Sequence, residues 1–195
     1  AGITDAPRVA EAMAGAGAVV HLAAKVSDFG PARDFVHLNV DGTRIVAEAA
    51  RAAGARRFVL MSSVAVFDYR TGFRDADESA PASGHEFPYG QTKAAAEALV
   101  RRLHAPGFAT VIVRPGLFPY GPGDHQASAR MLAALARRLP LLVGDGSALL
   151  STAHRQGLTG GLGPLPADLD QMLPWIERDP TRRWAERLSI QVDVA

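Results

Sequence analysis

The sequence contains no cysteine. Disulfide staples, thiolate nucleophiles and thiolate metal ligands are therefore excluded, and a cytoplasmic setting is the default expectation. An excess of either charge is also missing: 21 Lys and Arg stand against 20 Asp and Glu, leaving +1. With no basic stripe, the chain lacks the electrostatic footprint of a nucleic-acid binder. No apolar run reaches the roughly 20 residues of a membrane-spanning helix. The opening AGITDAPRV has no charged segment leading into an apolar one, so neither a secretory signal nor a membrane partner is expected. The six histidines are scattered with no H-x-x-x-H pair, and no metal site is expected. An initiator Met is absent too, which points to a fragment of a longer chain.

What is present is an ordinary globular composition: 195 residues, 48% of them hydrophobic, enough to bury a core. Helical and strand patterns alternate. Residues 6–17 read as a helix, and the short apolar run AVVHLA (18–23) as a buried strand. Residues 35–54 carry helical periodicity, with Val40, Ile45, Val46 and Ala49 on the core side and Gly54 suited to the turn beyond the C-terminus. RFVLMSS (57–63) and ATVIVRP (109–115) are two further buried strands. A helix spans 88–107, with Pro88 in its first turn, and another spans 125–140. Strands alternating with helices imply an α/β fold, a doubly wound parallel sheet. Ligands bind such sheets beyond the carboxyl ends of the strands, which here are HLAAK, SSVAVF and RPGLF.

Two residues in YGQTK carry the chemistry. Tyr89 and Lys93 lie four apart on one helix and share a face. An ammonium near a phenol stabilises the phenolate and lowers its pKa from about 10, toward useful acid–base chemistry. The helix follows a strand ending in Ser62-Ser63, whose hydroxyls can hydrogen-bond the substrate oxygen whose proton Tyr89 handles. Taken singly, each of these is better read as an ordinary surface pair or a strand-end cap.

HLAAK, NVDGT (39–43), SSVAVF (62–67), YGQTK and RPGLFPYGPGD (114–124) occur in the order seen in extended short-chain dehydrogenases/reductases, which the sequence resembles from about Gly2 to His154. That family includes NAD-dependent epimerases and dehydratases and 3β-hydroxysteroid dehydrogenase-like enzymes. The resemblance implies a Rossmann-like sheet, NAD or NADP as cofactor and a catalytic set of Ser63, Tyr89 and Lys93. Tyr89 would be the general base or acid. Lys93 would lower its pKa and hold the nicotinamide ribose, and Ser63 would orient the substrate oxygen. Ile3, Leu22, Ala23, Ala24, Asn39, Ser62, Pro115, Gly116 and Leu117 are the further cofactor-binding residues it implies. A small-molecule substrate, a secondary alcohol of nucleotide-sugar or sterol-like type, and a homodimer through the helices at 35–54 and 88–107 follow by the same analogy.

The family opens with a strand, a G-x-x-G-x-x-G loop and a helix. AGITD resembles the later stretch that closes the third strand, with Gly2 where an adenine-contacting Asp stands. The sheet is therefore expected to be incomplete at the N-terminus. GLTGGLG (157–163) has the glycine spacing of a phosphate loop, but His154, Arg155 and Gln156 make a poor strand end before it. Pro164 and Pro166 delay any helix after it, so a Gly-rich turn is expected there. The resemblance stops at Arg155-Gln156-Gly157. The expected division is a partial dinucleotide-binding domain over 1–154 and an irregular, atypical tail over 155–195, where the substrate-binding part would stand. A shifted reading frame near His154 would account for the tail, and a family-like continuation in another frame of the gene would show it. Beside the enzyme stand two alternatives: a non-enzymatic binding protein on the same fold, and an inactive truncated fragment.

Overall fold

The computed structural model describes residues 2–27, 29–68, 70, 76–82, 87–116 and 191–194. The chain forms two compact units, Ala1–Arg114 with Gln191–Ala195, and Pro115–Ile190. The helix expected at 125–140 and the GLTGGLG turn lie outside the described residues.

In the first unit the order is α1 (Ala6–Ala12), β1 (Ala18–His21), α2 (Ala32–Phe35), a π-helical segment (Val36–Asp41), α3 (Gly42–Ala52), β2 (Arg57–Met61), a 3-10 turn (Val64–Val66), α4 (Pro88–Leu103), β3 (Ala109–Arg114) and β4 (Gln191–Val194). The strands lie in the order β1-β2-β3-β4. β1, β2 and β3 are parallel and in step, Ala18 opposite Arg57 and Arg57 opposite Ala109. The expected parallel sheet is therefore present, while β4 adds an antiparallel partner to β3 from a tail in which the sequence shows no strand pattern.

Local chemistry sets the element ends. Asp5 caps α1 by accepting from the Arg8 amide at 3.4 Å, and Pro7 sits in its first turn. α1 stops at Ala12, short of the expected 17, and Gly15 at φ +74° turns the chain toward β1. Gly54, at φ +82°, occupies the left-handed position after α3 as its place in the sequence implies.

The core forms on one face of the sheet. Val19, Phe58, Leu60 and Ile112 meet Val9 of α1, Val46, Ala47 and Ala50 of α3, and Ala96, Leu99 and Val100 of α4. Ile45, Ala49 and Val40 pack against this cluster while half-exposed. Two contacts on this side have measurable consequences. Ile3 lies on Gly42 so closely that an added Cβ there would stand 2.6 Å from its Cδ1. His21 is buried at the end of β1, its Nε2 3.0 Å from the Thr43 hydroxyl, and burial, then the nearby Lys93 charge, lowers its pKa to about 4.

Replacing glycine by alanine inside a helix ordinarily stabilises by about 0.5–1 kcal/mol. Here Gly42→Ala is expected to destabilise instead, and an added Ile3→Ala to remove the penalty, as read by urea denaturation of the two single variants and the double. A stabilised Gly42→Ala would refute the close packing. The unfolded chain protonates His21 near 6.5 and the folded chain only near 4. Stability is therefore full above pH 6.5 and declines as pH falls through that window, by on the order of 3 kcal/mol once both forms are protonated. Denaturation midpoints at pH 7 and pH 5 should differ less in His21→Gln than in the wild type, and equal slopes would show that His21 is not the titrating group.

Candidate active site

The site is assembled where β2 leaves the sheet and α4 crosses it. Pro88 fixes the first turn of α4 after an extended Phe87, and from there Tyr89, Lys93 and Glu97 follow at intervals of four on the buried face. Three consecutive residues of the β2 exit meet these three side chains. Lys93 Nζ donates to the Met61 carbonyl at 2.7 Å. The Ser62 hydroxyl donates to Glu97 Oε1 at 2.5 Å. Ser63 lies near enough to the Tyr89 phenol to act on its proton affinity, and its hydroxyl caps the 3-10 turn by accepting from the Ala65 amide at 3.1 Å.

The catalytic set expected from the sequence is thus brought together: Ser63 and Tyr89 half-buried, Lys93 buried, and its ammonium 5.9 Å from the Tyr89 ring centroid. The electrostatics differ from the expectation. Burial holds the phenol above its ordinary pKa, with Ser63 working in the opposite direction. Burial also pulls the Lys93 ammonium down to about 8, with the Glu97 carboxylate opposing. Desolvation is the dominant influence on the Tyr89 phenol. The phenol is therefore neutral near pH 7 in the cofactor-free protein.

Asn39 reaches the site through an irregularity. The sequence reads as one helix over 35–54, whereas the structure widens it into the π segment, a feature that accompanies functional positions. Asn39 is buried there, accepting from the Lys25 amide at 2.7 Å and donating to the Lys25 carbonyl at 3.1 Å and the Thr92 hydroxyl at 3.1 Å. It ties the loop after β1 to α4, one residue before Lys93. Lys25 itself lies 5.2 Å from the Phe35 ring centroid, which steadies that loop.

Ile3, Leu22 and Ala23 line a groove of about 460 Å³ alongside β1, with Val9, Met13 and Val20. Leu22 is 59% exposed and Ala24 half-buried, so the β1 exit presents small and apolar surface. Ser62 is placed differently from the expectation. It is only 3% exposed and bonded to Glu97 beneath α4, which leaves Ser63 as the serine facing the phenol. Pro115 and Gly116 belong to the second unit, and Leu117 lies outside the described residues.

The sequence reading missed four polar residues. Glu97 and Arg114 are each 1% exposed and form a two-pronged ion pair, Nε to Oε1 at 2.9 Å and Nη2 to Oε2 at 2.7 Å. Thr92 and His21 are buried as well. A signal for Glu97 was present, since four residues beyond Lys93 continues the Tyr89–Lys93 face. Arg114 ends an apolar strand and carries no local mark of its partner.

The first 154 residues match the family model described as the NAD-dependent epimerase/dehydratase family. A ketoreductase of Stigmatella aurantiaca, acting on a 3-oxo-4-farnesyl-dihydroquinoline-1-oxide, is 36% identical over 153 residues, covering 78% of this chain and 46% of the relative. A 3β-hydroxysteroid dehydrogenase/decarboxylase of Arabidopsis thaliana is 34% identical over 151 residues, covering 75% of this chain and 34% of the relative. The chain thus spans less than half the length of either. A dTDP-glucose 4,6-dehydratase of Streptomyces venezuelae, solved with NAD bound, superposes with a TM-score of 0.71 at 28% identity, over 86% of this chain and 53% of that one. With the parallel sheet and the Ser63, Tyr89 and Lys93 cluster at its strand exits, these matches place the chain in the NAD-dependent epimerase/dehydratase family of oxidoreductases.

Proposed function

We propose that this chain supplies the proton-handling half of a nicotinamide-dependent interconversion of a ketone and a secondary alcohol, on an apolar 3-oxo or 3-hydroxy substrate of sterol-like type. The observation that carries the reading is the grip of α4 on the β2 exit, which sets Tyr89 against Ser63 and Lys93 against the Met61 carbonyl. The residues present fit the ribose end of the cofactor. Lys93 commits one N–H to Met61 and retains two more for ribose hydroxyls. The apolar β1 exit at Leu22 and Ala23 suits a flat ring system. The bound nicotinamide supplies the hydride donor or acceptor.

The chain's own residues then do the rest. Ser63 hydrogen-bonds the substrate oxygen and holds it beside the phenol. In the reductive direction Tyr89, neutral at pH 7, donates its proton to that oxygen as the carbonyl carbon is reduced. Lys93 stabilises the phenolate left behind. In the oxidative direction the phenolate takes the alcohol proton back. The substrate class follows the two curated relatives, whose names state a farnesylated 3-oxo ring and a 3β-hydroxysteroid. A nucleotide sugar is the second reading, favoured by the superposition on a dTDP-glucose dehydratase.

Hydride transfer from NADH and from NADPH to a 3-oxosteroid, with dTDP-glucose as the competing substrate, tests this reading. The wild-type chain is expected to oxidise one of the two cofactors with the steroid. Tyr89→Phe should lower kcat roughly 100-fold or more, while the protein stays folded and its cofactor affinity holds. Turnover of the sugar nucleotide alone would replace the substrate class. A folded wild type active on neither would overturn the function. Asn39→Ala, which unties the β1 exit loop from α4, is expected to raise the cofactor KM more than it lowers kcat; the reverse pattern would place Asn39 in the chemical step.

A further inference from the structure

The Ser62–Glu97–Arg114 network lies beside the reacting groups and has no part in the steps just described. Glu97 is one helical turn beyond Lys93 and nearly solvent-free. Its two oxygens receive the Ser62 hydroxyl, both prongs of Arg114, and the Arg101 guanidinium at 3.4 Å. Ser62 follows Met61, whose carbonyl Lys93 holds, and precedes Ser63, which faces Tyr89. Arg114 is the last residue of β3. One carboxylate therefore fastens the β2 exit, the β3 exit and the third turn of the catalytic helix together. A purely structural role could be met by apolar packing of the same volume, which ordinarily serves stability as well or better than a buried ion pair.

We propose that Glu97 is a positioning residue for Lys93: its buried carboxylate, held by Arg114 and Ser62, keeps the Lys93 ammonium charged and aimed at the β2 exit. The proposal rests on the reading of Tyr89 and Lys93 as the working pair. Burial discourages charge on Lys93, and Glu97 is the acidic group that opposes it. The other groups around the ammonium do not help. His21 from β1 is neutral, Arg114 from β3 and Arg101 on α4 are cations engaged by Glu97, and Tyr89 is a neutral phenol. Without Glu97 the lysine would stand among cations and uncharged groups, lose its proton more readily and cease to stabilise a phenolate.

The sequence holds two lysines, Lys25 and Lys93, so protein carrying carbon-13 in its lysine side chains gives two titrating signals. The test is their NMR titration in the cofactor-free chain, which can fail while the assignment of Tyr89 and Lys93 stands. In Glu97→Gln the Lys93 midpoint is expected to fall by roughly half a pH unit or more, with Lys25 unmoved. Glu97→Asp, which keeps the charge, should restore most of it. Leu99→Ala, which removes core packing from the same helix, should move neither signal. Where Glu97→Gln leaves Arg114 unpaired and fails to fold, the double variant with Arg114→Gln removes both charges together and is expected to lower the Lys93 midpoint by a smaller amount, because loss of the Arg114 cation offsets part of the loss of Glu97. An unmoved or raised Lys93 midpoint in a folded variant overturns the proposal, as does failure of both variants to fold, which would make the network structural alone.

Discussion

A carboxylate buried with almost no water is the constraint around which this unit is arranged. Glu97 sits in the interior on α4, where an unpaired charge would be prohibitive. Its pairing with Arg114 fixes that helix against the end of β3, and its bond from Ser62 fixes it against the end of β2. Removing one partner of such a pair costs about 3–5 kcal/mol, because the other is left charged and dry. Tyr89 and Lys93 share the helical face that Glu97 anchors. The placement of the Tyr89 phenol therefore follows from an ion pair on the same helix as much as from the phenol's own contacts.

A second tie joins another strand exit to the same helix. Asn39, displaced inward by the π segment, spends its amide on the Lys25 backbone and on Thr92. The loop after β1 is thereby joined to the same helix, beside Lys93. All three parallel strand exits described here converge on α4: β1 through Asn39, β2 through Ser62 and Lys93, β3 through Arg114. In a doubly wound sheet ligands bind at that end, so rigidity of the exits is what converts a fold into a site. The cost falls on the proton affinities of the buried groups. Burial raises Tyr89 and lowers Lys93, which keeps the phenol in its proton-bearing form near neutrality.

Much of this was legible in the sequence because it is local. The three parallel strands were visible as short apolar runs, and the Tyr89–Lys93 pair as a helical interval. Ser63 was preferred to Ser62 only through the family resemblance, by its place before Val64. What was not legible is non-local. Glu97 and Arg114 are 17 positions apart and belong to different elements. Only the packed structure shows that each is the other's partner. The π segment is invisible to a periodicity argument, since the apolar spacing of 35–54 also fits an ordinary α-helix. β4 escapes for a related reason: QVDV is too short to declare a strand until β3 supplies the partner. The expectation that Lys93 would depress the phenol pKa failed because sequence shows the charge and hides the desolvation.

The central claim is that the α4 face presents a lysine to a nicotinamide ribose. Calorimetric titration of NAD and NADP into the folded chain, alongside Lys93→Met, tests it most directly. The account expects saturable binding of one cofactor, weakened roughly tenfold or more when the charged hydrogen bonds of Lys93 are lost. A folded wild type that binds neither cofactor, or binding indifferent to Lys93→Met, would contradict it.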